Sequence, residues 1–187
     1  MSEQLQKVAL DEALLSNPLV AAQVAAFECG SEPWELEVAE WLKRPKGGEG
    51  AIDAALAEGT FVLLYWTPVR ELAGYGCVGP GTLKWPNPNK SQPILTTAIP
   101  MLGVAKAMQR KGYGKQILDD LLAFALTRVA ERRIVVLSVH EKNPGAKLYE
   151  KRNFKPFGKP RPLPPNGDLY QRYVLDLGEP PAPAPAA

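Results

Sequence analysis

Histidine and cysteine are nearly missing from this chain. Its 187 residues hold one histidine, His140, and two cysteines, Cys29 and Cys77. Groups so few and so far apart form no metal-ligand pattern, and none is expected to bind. One disulfide between the cysteines is chemically open, but free thiols in a reducing cytosol are the expectation. No N-terminal signal pattern and no apolar run of about 18 residues occurs, so neither secretion nor membrane spanning is expected, and the cytoplasm is the expected compartment. A surplus of charge is also lacking. With 22 basic and 20 acidic side chains, the formal charge of +2 does not by itself argue for a nucleic-acid partner.

Proline, by contrast, is abundant at 19 residues. Several fall in the last stretch, Glu179 to Ala187, which reads as a disordered tail with nothing to bury. The length is most simply one domain, large enough to bury about 70% of its unfolded surface.

Residues 7 to 26 read as two short Ala/Leu-rich helical stretches separated by Ser16-Asn17-Pro18. A helix from Pro33 to about Lys43 carries Trp34, Val38, Trp41 and Leu42 on one face. Gly47-Gly48 breaks the chain, and a short helix over Ala51 to Ala57 ends at Gly59. The pattern then turns strand-like at Thr60 to Trp66 and Leu72 to Val78. Residues 79 to 93, rich in Gly, Pro and Asn, read as a loop. Ile94 to Ala105 is extended again, and Pro100 and Gly103 within it predict a bulge or a splayed end. Ile117, Leu118, Leu121, Leu122, Ala125 and Val129 form an apolar helical stripe. Ile134 to Val139 is a buried strand, Ala146 to Lys151 a short helix, and Leu169 to Leu177 a closing strand. This order predicts a mixed α/β sheet without internal repeats.

The segment Gln109-Arg110-Lys111-Gly112-Tyr113-Gly114 stands directly before the striped helix. Such a loop aims backbone N–H groups and the positive end of the helix dipole at a phosphate, and Arg110, Lys111 and Lys115 add charge. The dinucleotide fingerprint is excluded because only two of its three glycines are present. The P-loop is excluded because Gln109 stands where its first glycine should be and Gln116 follows Lys115.

The remaining pattern, Q-x-x-G-x-G after a strand and before a helix, resembles the coenzyme A loop of the GNAT N-acetyltransferase superfamily. A second string is similar to that family's other signature: Asn143, Ala146, Leu148, Tyr149, Glu150, Lys151 and Phe154, following the buried strand. The resemblance covers residues 60 to 177 and implies a GNAT fold, with a mixed central sheet, a splayed central strand and helices on both faces. It divides the chain into an N-terminal helical extension (1–26), an acetyltransferase domain (27–177) and the tail (178–187). It implies acetyl-CoA as donor, held by Gln109, Arg110, Lys111, Gly112, Tyr113, Gly114 and Lys115, by the backbone of Leu102 and Val104, and by Asn143. Tyr149 falls where the family places a general acid; its alternative is a core tyrosine with a satisfied hydroxyl. Two departures stand out. Asn143 precedes Tyr149 by six residues where the family has seven, and Asn153 replaces the glycine before the phenylalanine.

For a general base, residues 91 to 108 offer no Asp, Glu or His. His140 or Glu141, just past the buried strand, are the candidates. The alternative is no base at all, since an α-amine with a pKa near 8 is partly neutral at physiological pH. The acceptor implied is a primary amine on a small molecule, peptide or protein N-terminus. A second likeness is to GNAT toxins of toxin–antitoxin pairs that acetylate aminoacyl-tRNA. It rests on Phe27-Glu28-Cys29-Gly30, the Pro/Gly/Asn insert, and the cations Lys147, Lys151, Arg152, Lys155, Lys159, Arg161 and Arg172. This reading would add tRNA and an antitoxin protein as partners. A third reading is a non-catalytic acetyl-CoA-binding fold. No membrane partner is implied, and a homodimer is left open.

Overall fold

The computed structural model describes residues 4–43, 51–84, 93–128, 133–163 and 167–178. The Gly47-Gly48 break, Val129, the centre of the Pro/Gly/Asn insert and the proline-rich tail lie outside these residues.

A short edge strand, β1 (Gln6–Ala9), precedes four helices: α1 (Glu12–Leu15), α2 (Pro18–Ala25), α3 (Pro33–Leu42) and α4 (Ala51–Ala57). Strands β2 (Phe61–Trp66), β3 (Leu72–Leu83), β4 (Ile94–Ala98) and β5 (Leu102–Val104) follow. A 3-10 turn over Lys106–Met108 leads to α5 (Tyr113–Arg128). The chain closes with β6 (Ile134–His140), α6 (Ala146–Glu150), β7 (Lys155–Pro156), β8 (Arg161–Leu163) and β9 (Asp168–Asp176).

The sheet runs β1-β2-β3-β4-β6-β9-β7, with β5 beside β3 and β8 beside β9. The β4–β6 pair is parallel and every other pairing is antiparallel. Helices cover both faces. On one, α1 to α4 close a core that includes Val24, Leu42, Ile52, Leu64 and Tyr75. On the other, α5 lays Ile117, Leu118 and Leu121 against Leu63, Val78, Val135 and Phe154. Those three stripe residues are fully buried, each worth about 1.5–3 kcal/mol of apolar transfer.

The N-terminal residues are neither wholly helical nor an appendage. Residues 6–9 pair with β2 although all four side chains are exposed, so backbone hydrogen bonds define this strand. Leu10, Leu15, Val20 and Val24 enter the core. The helices stop where side chains cap them: Asp11 accepts from the Leu14 N–H, and Asn17 from the Leu19 N–H with Pro18 following. A second correction concerns residues 79–83, which continue β3 and pair with β4. Pairing with a neighbour outweighs the turn propensity of Gly79, Pro80 and Gly81 there.

The predicted splay is present. β3 is the common support: its residues 79–83 pair with β4 and its residues 74–76 with β5. On the side away from β9, β6 joins only β4, through Thr97↔Val135 and Ala98↔Val136, with a last bond from the Ile99 N–H to the Val136 carbonyl. Pro100, which has no N–H, follows at once. Beyond it β5 stays on β3 while β6 continues alone on that side, and a gap opens in the middle of the sheet.

Candidate active site

Within β5 the backbone alternates. The Met101 carbonyl and the Ala105 N–H bond to β3, so the groups of Leu102 and Val104 turn towards the gap. Above β5 lies α3, and Gly103 makes the close approach possible. A Cβ on it would stand 2.8 Å from Val38 Cγ1 and 2.8 Å from Tyr75 Cε1. The helix is held there by a hydrogen bond of 2.6 Å from the Tyr75 hydroxyl to the Val38 carbonyl and by Trp41 stacked on Tyr75.

At one end of the gap is the glycine loop. Arg110 (φ 62°) and Gly112 (φ 87°) adopt left-handed backbone conformations and curl the chain into the helix start. Among the described residues, the N–H groups of Arg110, Lys111, Gly112, Tyr113 and Gly114 find no acceptor, which makes an anion-sized row of donors. Lys115 does not extend that row, because its N–H bonds the Gly112 carbonyl at 3.1 Å. The Arg110, Lys111 and Lys115 side chains are exposed around the loop. Tyr113 is buried at 5% exposure, so its ring is core and only its amide faces outward. Gln109 does not point its amide at this space. Its Nε2 donates to the Cys29 carbonyl and, at 3.4 Å, to that of Val104, tying the loop to the segment before α3.

Three connected spaces follow the gap. The loop-side groove, about 310 Å³, is lined by Val104, Gly114, Asn143 and Tyr149 among others. The central cleft, about 150 Å³, shares Trp34, Val38, Leu102, Asn143 and Tyr149 with it and adds Glu37, His140 and Tyr170. Tyr149, on α6, therefore stands between the two. Its ring meets Phe154 edge-on at 6.0 Å, burial pushes its pKa up to about 12, and its hydroxyl has no hydrogen-bond partner among the described residues. Asn153 ends α6 at φ 64°, the left-handed stop that its place in the signature requires. Asn143 uses its Oδ1 to accept the Gly145 N–H at 2.7 Å and so shapes the entry to α6.

The two base candidates separate. His140 is the last residue of β6 and is buried, whereas Glu141 lies in the turn beyond it, exposed and outside all three spaces. His140, 6% exposed, is stacked on Trp34 at 4.4 Å and edge-on to Tyr170 at 5.2 Å. Its Nδ1 accepts the Lys142 N–H at 3.2 Å, which leaves Nε2 as the protonated nitrogen of the neutral ring. Nε2 lies 3.9 Å from Asp168 Oδ2. The lone pair a base would use is thus already engaged.

Two cleft residues escaped the sequence reading. Glu37, one turn after Trp34 on α3, accepts a hydrogen bond from Tyr170 of β9. Burial, then this bond, raises the Tyr170 pKa. The helical step from Trp34 to Glu37 was the only local signal, since the partner is 133 residues away.

The Phe27-Glu28-Cys29-Gly30 stretch is accounted for by packing. Phe27 (3%) and Cys29 (4%) are buried. Desolvation, with Glu35 adding to it, pushes the Cys29 thiol up to about 12 against the opposing pull of Lys43 and the Val104 backbone. Of the cations in 147–172, Arg152 is spent on Asp119, with Nη2–Oδ2 at 2.7 Å.

The model of the acetyltransferase (GNAT) family matches residues 26–154, more than half of the chain. The chain belongs to the GNAT acetyltransferase family. No curated protein matches its sequence. Three solved structures place this GNAT chain among its fold relatives. A Bacillus subtilis acetyltransferase in complex with CoA is 18% identical, with TM-score 0.58 over 93% of this chain and 99% of its own. An Elizabethkingia anophelis GNAT acetyltransferase with acetyl-CoA bound is 18% identical, with TM-score 0.57 over 92% and 98%. A mutant AtaT toxin bound to the C-terminus of the antitoxin AtaR and to acetyl-CoA is 12% identical, with TM-score 0.61 over 94% of each chain. Likeness at these identities is one of fold. No helix among the described residues is long and apolar enough to cross a membrane.

Proposed function

We propose that this GNAT acetyltransferase moves an acetyl group from acetyl-CoA directly to a primary amine. The observation that carries the proposal is the gap between β5 and β6, open between a row of free amides and an unpartnered, half-buried tyrosine. In this reading the amides of Arg110 to Gly114 hold the pyrophosphate, with Arg110, Lys111 and Lys115 adding charge. The backbone groups of Leu102, turned away from β3, bond the pantetheine arm and steer the thioester carbonyl, and those of Val104, which also meet the Gln109 amide and the Cys29 thiol, line the arm's path. Asn143 and Gln109 shape the groove. Donor and acceptor are thereby brought to near-attack distance, the largest gain available to a two-substrate transfer.

The amine nitrogen attacks the thioester carbon, the C–S bond breaks, and Tyr149 supplies a proton to the departing sulfur. His140 orients the cleft through Trp34 and Tyr170. The nucleophile arrives as the free amine, so its surplus proton passes to water, and Tyr149 regains a proton from water before the next turnover. An α-amine, with its pKa near 8, meets that condition at physiological pH better than a lysine side chain.

The test is thiol release from acetyl-CoA in the presence of amines, with mass detection of the acetylated product. Binding of acetyl-CoA without release on any amine would establish a non-catalytic acetyl-CoA-binding protein instead.

A further inference from the structure

The third space opens from the far side of the central cleft, and its charge is opposite to what an amine alone would need. It is lined by Ser138, Lys159, Arg161 and Arg172, shares Ser138, Leu163 and Tyr170 with the central cleft, and shares no residue with the loop-side groove. It therefore lies at the acceptor's end of the line and away from the coenzyme's phosphates.

The sheet registers these side chains together. Ser138 of β6 stands opposite Arg172 of β9, His140 opposite Tyr170, and Arg161 of β8 opposite Tyr170. Side chains two residues apart share a face, so Ser138, His140, Tyr170, Arg172 and Arg161 form one surface. Among the described residues no carboxylate pairs with Lys159, Arg161 or Arg172. Of the carboxylates nearby, Glu37 lines the central cleft and bonds Tyr170, and Asp168 lies behind it, beside His140. The free volume of this basic space is about 40 Å³, roughly three times what a single water needs. That suits one carboxylate or phosphate group.

We infer that the acceptor is a small zwitterion, a primary amine whose other end carries a carboxylate or phosphate. Its amine lies in the central cleft near Glu37, and its anion is held by Arg172, Arg161 and Lys159 with the Ser138 hydroxyl. This rests on the acetyl-transfer reading above and adds the acceptor's class. Guanidinium groups suit both oxyanions through paired donors, so the chemistry is shared and the experiment separates the two.

The experiment measures thiol release with 4-aminobutyrate against butylamine and with phosphoethanolamine against ethanolamine, plus aminoacyl-tRNA. At least one anionic amine is expected to exceed its neutral counterpart tenfold or more in kcat/KM, and the larger ratio identifies the anion. In Arg172→Gln that ratio falls towards one through a raised KM for the anionic amine, while kcat changes little. Arg161→Gln, at an exposed position, gives the same fall should the first variant fold poorly. Equal use of neutral and anionic amines, or ratios unchanged in both variants, overturns the inference and leaves acetyl transfer standing. So does acetylation of aminoacyl-tRNA alone. Acetyl-CoA binding with no release on any of these amines overturns both.

Discussion

Tyr149→Phe is the substitution that most directly tests the chemistry. The phenol is half-buried, desolvation pushes its pKa up to about 12, and nothing among the described residues bonds its hydroxyl. It is therefore a neutral donor through the whole working range. An ordinary thiol has a pKa near 8.5, so complete transfer from such a phenol to a thiolate is uphill by about 3.5 units, or about 5 kcal/mol. The proton must move as negative charge builds on sulfur and the C–S bond stretches, the moment at which a fixed donor in a dry cleft is worth about 2.7–4 kcal/mol. Removing it should lower kcat by about 100- to 1000-fold. The ring still packs edge-on against Phe154, and no existing hydrogen bond is lost, so folding stability and the KM for acetyl-CoA should hardly move. Steady-state thiol release, with thermal unfolding of both proteins, separates these effects. Because the shift is upward, Tyr149 keeps its proton until about pH 12 and should cause no alkaline loss of rate below about pH 11. A variant within threefold of the parent kcat, or one whose loss follows a fall in melting temperature, would remove the hydroxyl from the mechanism.

Gln109→Ala should release the loop from the Cys29 and Val104 carbonyls; losing about 0.5–1.5 kcal/mol of hydrogen bonding predicts a several-fold rise in the KM for acetyl-CoA by initial-rate kinetics. Gly103→Ala drives a methyl group to 2.8 Å from Val38 and Tyr75, which should cost about 1–3 kcal/mol in denaturant unfolding. Stability should be level from pH 7 to about 8.5 and fall above pH 9. The buried thiol of Cys29 ionises only at about 12, whereas the unfolded thiol gives up its proton earlier and so favours unfolding as pH rises. The three-unit shift sets an upper bound of about 4 kcal/mol by pH 12, and Cys29→Ala should flatten that slope in urea melts at successive pH values.

The sequence disclosed what local chemistry dictates. α3 and α4 were legible from caps, breakers and apolar spacing, and the break after Ala98 from Pro100. The glycine loop and the stretch through Tyr149 were legible because each is a continuous segment. β1 was not, because residues 6–9 bury no side chain and carry no alternation to detect. The outer end of β3 was not, because its turn-prone residues are overruled by pairing with a strand beyond a long insert. His140 was found, but the ring's engaged Nδ1 is visible only in three dimensions. The Glu37–Tyr170 contact and the alignment of Arg161, Arg172 and Ser138 join distant segments, and composition cannot foretell which cations escape pairing as Arg152 did not.

The parting of β5 from β6 leaves this protein with a sheet that is one segment short. Its two halves, one carrying the helical N-terminal layer and the other the closing strands, are joined along a single continuous rod, β3. A coenzyme arm threaded between the halves would restore cross-links that the polypeptide omits. Donor binding would then act as a late step of folding. Loading should stiffen residues far from any phosphate, slowing amide exchange in β6 and β9 as much as in the loop that grips the pyrophosphate.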